Sequence, residues 1–84
     1  MPTILRVGGY QFIIFTSDHP PAHVHVRREG KLAKVNLILL EFERTGGFNT
    51  SERSKILELV HEYHDFLLAE WAKLYPPEET EDHE

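Results

Sequence analysis

The sequence predicts a single α+β domain over residues 1–75 and an acidic disordered tail over 76–84. Two β-hairpins form a three- to four-stranded, mostly antiparallel sheet, and one long C-terminal helix packs on one face. Three observations predict this. Two alternating runs in the first half of the chain are each broken by a glycine-bearing turn. The apolar spacing then changes once, from a period of two to one of 3.6. Finally, Pro76-Pro77 closes the helical stretch, because proline carries no amide hydrogen for the ladder.

The first hairpin joins Thr3–Val7 to residues 10–15 across Gly8-Gly9. Glycine accepts the positive φ of a two-residue primed turn, which sets Val7 opposite Tyr10, Leu5 opposite Phe12 and Thr3 opposite Ile14. Ile4, Ile13 and Phe15 then share the other face with Arg6 and Gln11, so both faces are partly apolar. A loop over 16–22 follows, where Pro20-Pro21 admits only an extended or turn path.

The second hairpin joins His23–Arg28 to residues 31–37 through Glu29-Gly30. Counting outward from the turn pairs Arg27 with Leu32, Val26 with Ala33, His25 with Lys34, Val24 with Val35 and His23 with Asn36. Paired residues share a face. One face is therefore Val24, Val26, Ala33, Val35 and Leu37, a core surface. The other is His23, His25, Arg27, Lys34 and Asn36.

Asn49 and Glu52 have the spacing of a capping box, so the helix starts there after the loop at Gly46-Gly47. About 25 residues remain before the prolines, roughly 37 Å of helix at 1.5 Å per residue. Its apolar residues, from Ile56 to Tyr75, fill an arc of roughly 200° at ~100° per residue. Such a helix overhangs short strands, and its Trp71 end is expected to meet something beyond the sheet.

The chain has no cysteine, which removes disulfides, thiolate metal sites and cysteine nucleophiles. No apolar run approaches a membrane span of ~18 residues, and the first residues lack the blocks of a signal peptide. A cytoplasmic protein without membrane contact is the expectation. The net charge of −5 is unevenly spread. Glu78, Glu79, Glu81, Asp82 and Glu84 place all of it in the tail, while residues 1–34 lean basic and 35–75 acidic.

Chemistry concentrates at His19-Pro20-Pro21-Ala22-His23-Val24-His25. His23 and His25, two apart on a strand, project from one face. Beside them Arg27 and Lys34 supply positive charge and Asn36 a neutral donor. Read catalytically, His23, His25, Arg27 and Lys34 suit metal-independent, ribonuclease-like cleavage of a phosphodiester, with the imidazoles moving protons. Arg27, Lys34 and Asn36 would hold the nucleic acid. Read as ligands, His19, His23 and His25 suit a zinc or nickel ion. The plain alternative is a solvated strand face. His61 and His64 miss the zincin motif by one residue, and His64, inside the apolar arc, reads as a hydrogen-bonded histidine at the core edge. His-Val-His-Val fails the histidine-triad pattern because Arg27 stands at the third position.

The stretches Gly8-Gly9-Tyr10, Phe12 to Phe15, Asp18-His19-Pro20-Pro21-Ala22-His23-Val24-His25-Val26, Gly47-Phe48 and Leu67-Leu68 with Trp71 resemble a small prokaryotic family catalogued as domain of unknown function 4160. The PP-x-HVHV segment is the specific part. Ala22 stands where the family has proline, and Asn36 with Leu37-Ile38-Leu39-Leu40 replaces a more polar segment. The resemblance implies a gene beside that of another small protein, in a layout like a toxin–antitoxin operon. The leading expectation is thus a module of such a pair, acting on RNA or on the partner protein from the same operon. The alternatives are a non-catalytic metal-binding protein, or a homodimeric scaffold.

Association is also expected from the apolar surplus. Ile4, Ile13 and Phe15 on the first hairpin, with Trp71, Leu74 and Tyr75 on the helix, exceed what one sheet–helix contact covers. They mark an interface with a second copy or a partner, unless Leu39, Leu40, Phe42 and Phe48 fold over them.

Overall fold

Alternation in the first half of the chain is realised as five strands: β1 (Thr3–Val7), β2 (Tyr10–Ile13), β3 (His23–Arg28), β4 (Lys31–Asn36) and β5 (Glu41–Arg44). Two helices follow, α1 (Thr50–Glu62) and α2 (His64–Leu74). The computed structural model describes residues 3–15 and 18–75. The tail at 76–84 lies outside the described residues. The strands form one antiparallel meander in the order β1-β2-β3-β4-β5.

The β3–β4 register is the predicted one at every pair, His23 with Asn36 through Arg27 with Leu32. In the first hairpin Gly8 and Gly9 both take positive φ, and Val7 pairs with Tyr10 and Leu5 with Phe12. Thr3, however, pairs with Ile13 rather than Ile14, because the register shifts between Thr3 and Leu5. A bulge of this kind leaves no alternation break in the sequence.

Two expectations about the elements are corrected. The sheet has five strands, not three or four: Glu41-Phe42-Glu43-Arg44 pairs with β4. Its three charged residues give it little intrinsic strand preference. Asn36 folds it back. The Asn36 Oδ1 accepts from the amides of Ile38 and Leu39, both at 2.7 Å, closing the turn over 37–40. The single long helix is instead two, broken at Tyr63 (φ −102°, ψ 21°) with no glycine or proline nearby. The His64 Nε2 donates to the Leu37 carbonyl at 2.6 Å, which ties the start of α2 to the end of β4.

The capping box at Asn49 and Glu52 forms as predicted, with amide contacts of 2.8 and 2.9 Å. Both helices lie on the side of Val24, Val26, Ala33 and Val35, all fully buried. With Phe12, Leu37, Ile56, Val60 and Leu67 these make the core. Phe48 is buried in it, and Leu40 and Phe42 pack partly against it, whereas Leu39 stays 64% exposed.

The apolar surplus is largely spent inside this fold. Ile13 and Trp71 are buried, Ile4 and Tyr75 are half-buried against the core, and Phe15 is half-buried. Of the six residues expected at an interface, Leu74 alone is exposed. The far end of α2 does meet something beyond the sheet, and it is the chain itself. Trp71 stacks on Tyr75 at 4.4 Å and packs on His23 at 5.1 Å, and the Tyr75 hydroxyl donates to the Phe15 carbonyl at 2.7 Å.

Candidate functional site

The sheet face away from the helices carries the charged and imidazole side chains, and the loop ahead of β3 folds back over one end of it. Phe15 and Asp18 clasp that loop. The Asp18 amide donates to the Phe15 carbonyl at 3.1 Å, and the Phe15 amide donates to the Asp18 Oδ2 at 2.9 Å. The Asp18 carboxylate is thereby fixed over the start of β3, where His23 and His25 point.

This clasp sets the neighbour of His23: its Nε2 stands 3.2 Å from the Asp18 Oδ1. Its Nδ1 lies 2.9 Å from the Pro21 carbonyl. A carbonyl oxygen only accepts, so Nδ1 carries the proton and donates it there. The Nε2 then faces a carboxylate, which also only accepts. Such a contact is favourable when Nε2 carries a second proton, or when a cation stands between nitrogen and oxygen. The β2–β3 pairing ends at Ile13 and His25, and beyond it Trp71 closes His23 off from solvent, leaving it 3% exposed.

His25 has the less comfortable position. Its Nδ1 is buried, lies 3.7 Å from the Asp18 Oδ2, and has no hydrogen-bond partner among the described residues. Phe15 packs edge-on to its ring at 4.6 Å. Burial holds the His25 pKa below its ordinary 6.5 against the pull of Asp18, with His23, Lys34 and Arg44 adding to the depression. The direction of the shift favours the uncharged ring, the form in which an imidazole ligates.

One donor atom each from Asp18, His23 and His25 lies within 4.8 Å of the others. Ligands sharing a tetrahedral zinc ion, at ~2.0–2.1 Å from it, stand about 3.3 Å apart. The histidine–carboxylate separations of 3.2 and 3.7 Å, each to a different oxygen of Asp18, lie near that value, and the three donors together lie within the wider limit of 4.8 Å. The Pro21 carbonyl in turn orients His23 as outer-shell partners orient metal-bound histidines. Two imidazoles and a carboxylate gathered this closely are donors of the kind that a divalent ion takes.

A cavity of about 350 Å³ opens over the triad, lined also by His19, Pro20, Pro21, Lys34, Glu43 and Arg44. Lys34 and Arg44 are cross-strand partners, and the register shift beside them brings Glu43 onto the same rim. Glu43 takes a hydrogen bond from Asn36 Nδ2 at 2.8 Å and an ion pair from Lys34 at 3.3 Å. Chiefly the Asn36 bond holds its carboxyl below the ordinary 4.5.

These contacts sort the residues singled out from the sequence. His23, His25 and Lys34 do converge on one cavity. His19 lines it but is exposed and stands outside the cluster of three close donor atoms, which among the described residues joins Asp18 to His23 and His25. Asn36 is occupied at both ends of its amide, by the turn and by Glu43. Arg27 is exposed one row further along the sheet, paired with Gln11 and Leu32, and does not line the cavity. His23 offers a substrate little exposed edge. Spacing alone does not mark Asp18 as a ligand candidate, because a lone aspartate five residues before a strand has no ligand spacing. The signal lay in its place directly ahead of His19-Pro20-Pro21. His64 is the hydrogen-bonded core-edge histidine that its position in the apolar arc indicated.

The family described as Domain of unknown function (DUF4160) matches residues 9–72, and the chain belongs to it. No curated protein matches the chain, and no solved structure does. No helix among the described residues is long and apolar enough to cross a membrane.

Proposed function

We propose that this member of the DUF4160 family is a small metal-binding module. Asp18, His23 and His25 hold one divalent ion of the zinc or nickel class. The observation that carries the reading is the His25 Nδ1, buried beside the Asp18 carboxylate and without a hydrogen-bond partner among the described residues. An ion between the three donors relieves that contact and the one at His23 together. Three protein ligands leave one or more coordination positions open toward the cavity, the arrangement of sites that present a metal to something else rather than of closed structural sites.

The test uses a reporter that the fold supplies. Trp71 is the chain's single tryptophan and packs on His23. Titration with zinc or nickel near neutral pH should change its emission and saturate at one ion per chain, with equilibrium dialysis giving the same count. Asp18→Asn and His25→Ala should lose the ion, whereas His19→Ala should keep it. Protein that binds no metal under these conditions sinks the reading.

A second reading keeps the module in a toxin–antitoxin-like pair that meets RNA or a partner protein on the same face. Its support is the row of exposed or half-exposed cations Arg6, Arg27, Lys34 and Arg44, which the strand register sets on the side away from the helices. In that reading expression arrests growth, co-expression of the adjacently encoded protein relieves the arrest, and Arg27→Glu weakens it. Growth unaffected by expression, alone or with the neighbour, removes it.

A further inference from the structure

Resting on the metal reading, we infer that the open side of the ion takes a phosphate group, supplied by a mononucleotide or by an RNA backbone. The rim of the cavity holds two cations and two anions: Lys34 and Arg44 against Asp18 and Glu43. Without metal these cancel. A divalent ion leaves the site at a net charge of about +2 in an otherwise polar cleft, which an anion at the open coordination positions balances. Arg44 is exposed and has neither an ion pair nor a side-chain hydrogen bond among the described residues, so its guanidinium is free to turn onto a ligand. Lys34 stands opposite it on the neighbouring strand, half-buried and held by Glu43 at 3.3 Å. His19, exposed on the loop side, adds a further donor.

The geometry of the donors selects the class of anion. The ion lies at the β3 end of the cleft, the Lys34–Arg44 pair on β4 and β5, and His19 on the loop. A planar carboxylate has two oxygens and cannot face three directions at once. A phosphate group can, and the arginine fork matches its oxygens in pairs. A cavity of about 350 Å³ exceeds what a bare oxyanion needs. Pro20 and Pro21 give it an apolar wall suited to a sugar or a base.

Cobalt(II) separates this inference from the reading beneath it, because its visible absorption reports changes at the open coordination positions. The cobalt-loaded protein is titrated with inorganic phosphate, uridine monophosphate, a short single-stranded RNA and acetate. The inference expects a saturable spectral change with phosphate and none with acetate. It expects Lys34→Gln and Arg44→Gln each to weaken phosphate at least tenfold while cobalt affinity stays within twofold. Tighter binding of the RNA than of uridine monophosphate, weakened by Arg27→Gln, identifies a polynucleotide ligand; equal binding identifies the mononucleotide. Failure of cobalt to bind at one per chain takes down the metal reading and this inference with it. Cobalt binding without a phosphate response, an equal response to acetate, or unweakened phosphate binding in both rim variants overturns the inference alone.

Discussion

The two faces of the β3–β4 hairpin are built from alternate residues of the same strands, yet they end in opposite conditions. Val24, Val26, Ala33 and Val35 are fully buried under two helices, and apolar neighbours satisfy them completely. His23, His25, Lys34 and Asn36 face a loop and a charged strand, and the buried Nδ1 of His25 has no partner among the described residues. The first face shows what folding alone requires of this chain. The second holds an arrangement that folding alone does not require. A protein interior ordinarily pairs its buried polar atoms. The unpartnered Nδ1 is the observation on which the proposed metal reading rests.

If this contrast is sound, damage to the first face should unfold the protein and damage to the second should not. Phe12→Ala removes a fully buried ring from the helix-covered side and should cost about 3–5 kcal/mol. Denaturant unfolding should then show a much earlier midpoint, or no native baseline at all.

Gly46→Ala should rank next. Gly46 sits at φ +65°, and an added Cβ would run into the Leu32 carbonyl and the Ala33 amide at the β4 edge. About 2 kcal/mol or more is expected from the conformation and the collision together, read from the same unfolding curve.

On the site face, His25→Leu replaces the unpaired nitrogen by carbon. Measured in the presence of a chelator, the variant should unfold within about 1 kcal/mol of the natural protein or later, since a buried polar atom without a partner is itself a cost. The natural protein should gain stability on adding metal and the variant should not. A large loss of metal-free stability in His25→Leu would break the comparison, because it would make the imidazole a packing residue like its neighbours Val24 and Val26.

The smallest effect concerns pH. The Glu43 carboxyl is held below its ordinary 4.5, mainly by Asn36, so its folded pKa lies under its unfolded one. The stability this contributes is present above pH 4.5 and is lost as pH falls through the lower folded value. Glu43→Gln should flatten that part of the acid limb slightly and leave the neutral plateau unchanged. Because the side chain is exposed, the change should be just resolvable in thermal unfolding measured from pH 6 to 3.

Much of this was legible from local rules. Gly8-Gly9 and Glu29-Gly30 announced their turns, Asn49 and Glu52 announced the helix start, and period-two spacing put His23, His25 and Lys34 on one face. Each of these is a relation among residues close in sequence, where backbone geometry leaves few choices. The fifth strand was not legible, because Glu41–Arg44 pairs only after Asn36 has folded the turn. Nor was the break at Tyr63, which accompanies a contact between His64 and a carbonyl 27 residues earlier.

The sequence by itself determined the α+β class, the register of the central hairpin and the histidine face, all through steric rules acting over a few residues. Only the tertiary structure decided that Asp18, and not His19, lies close to both His23 and His25, and that Trp71 and Tyr75 pack inward instead of facing outward. The physical reason is reach. Alternation fixes which way a strand residue points, but a loop residue's direction is set by what clasps it. Here Asp18 is held by the Phe15 backbone, which is itself held by the hydroxyl of Tyr75, 60 residues further along the chain.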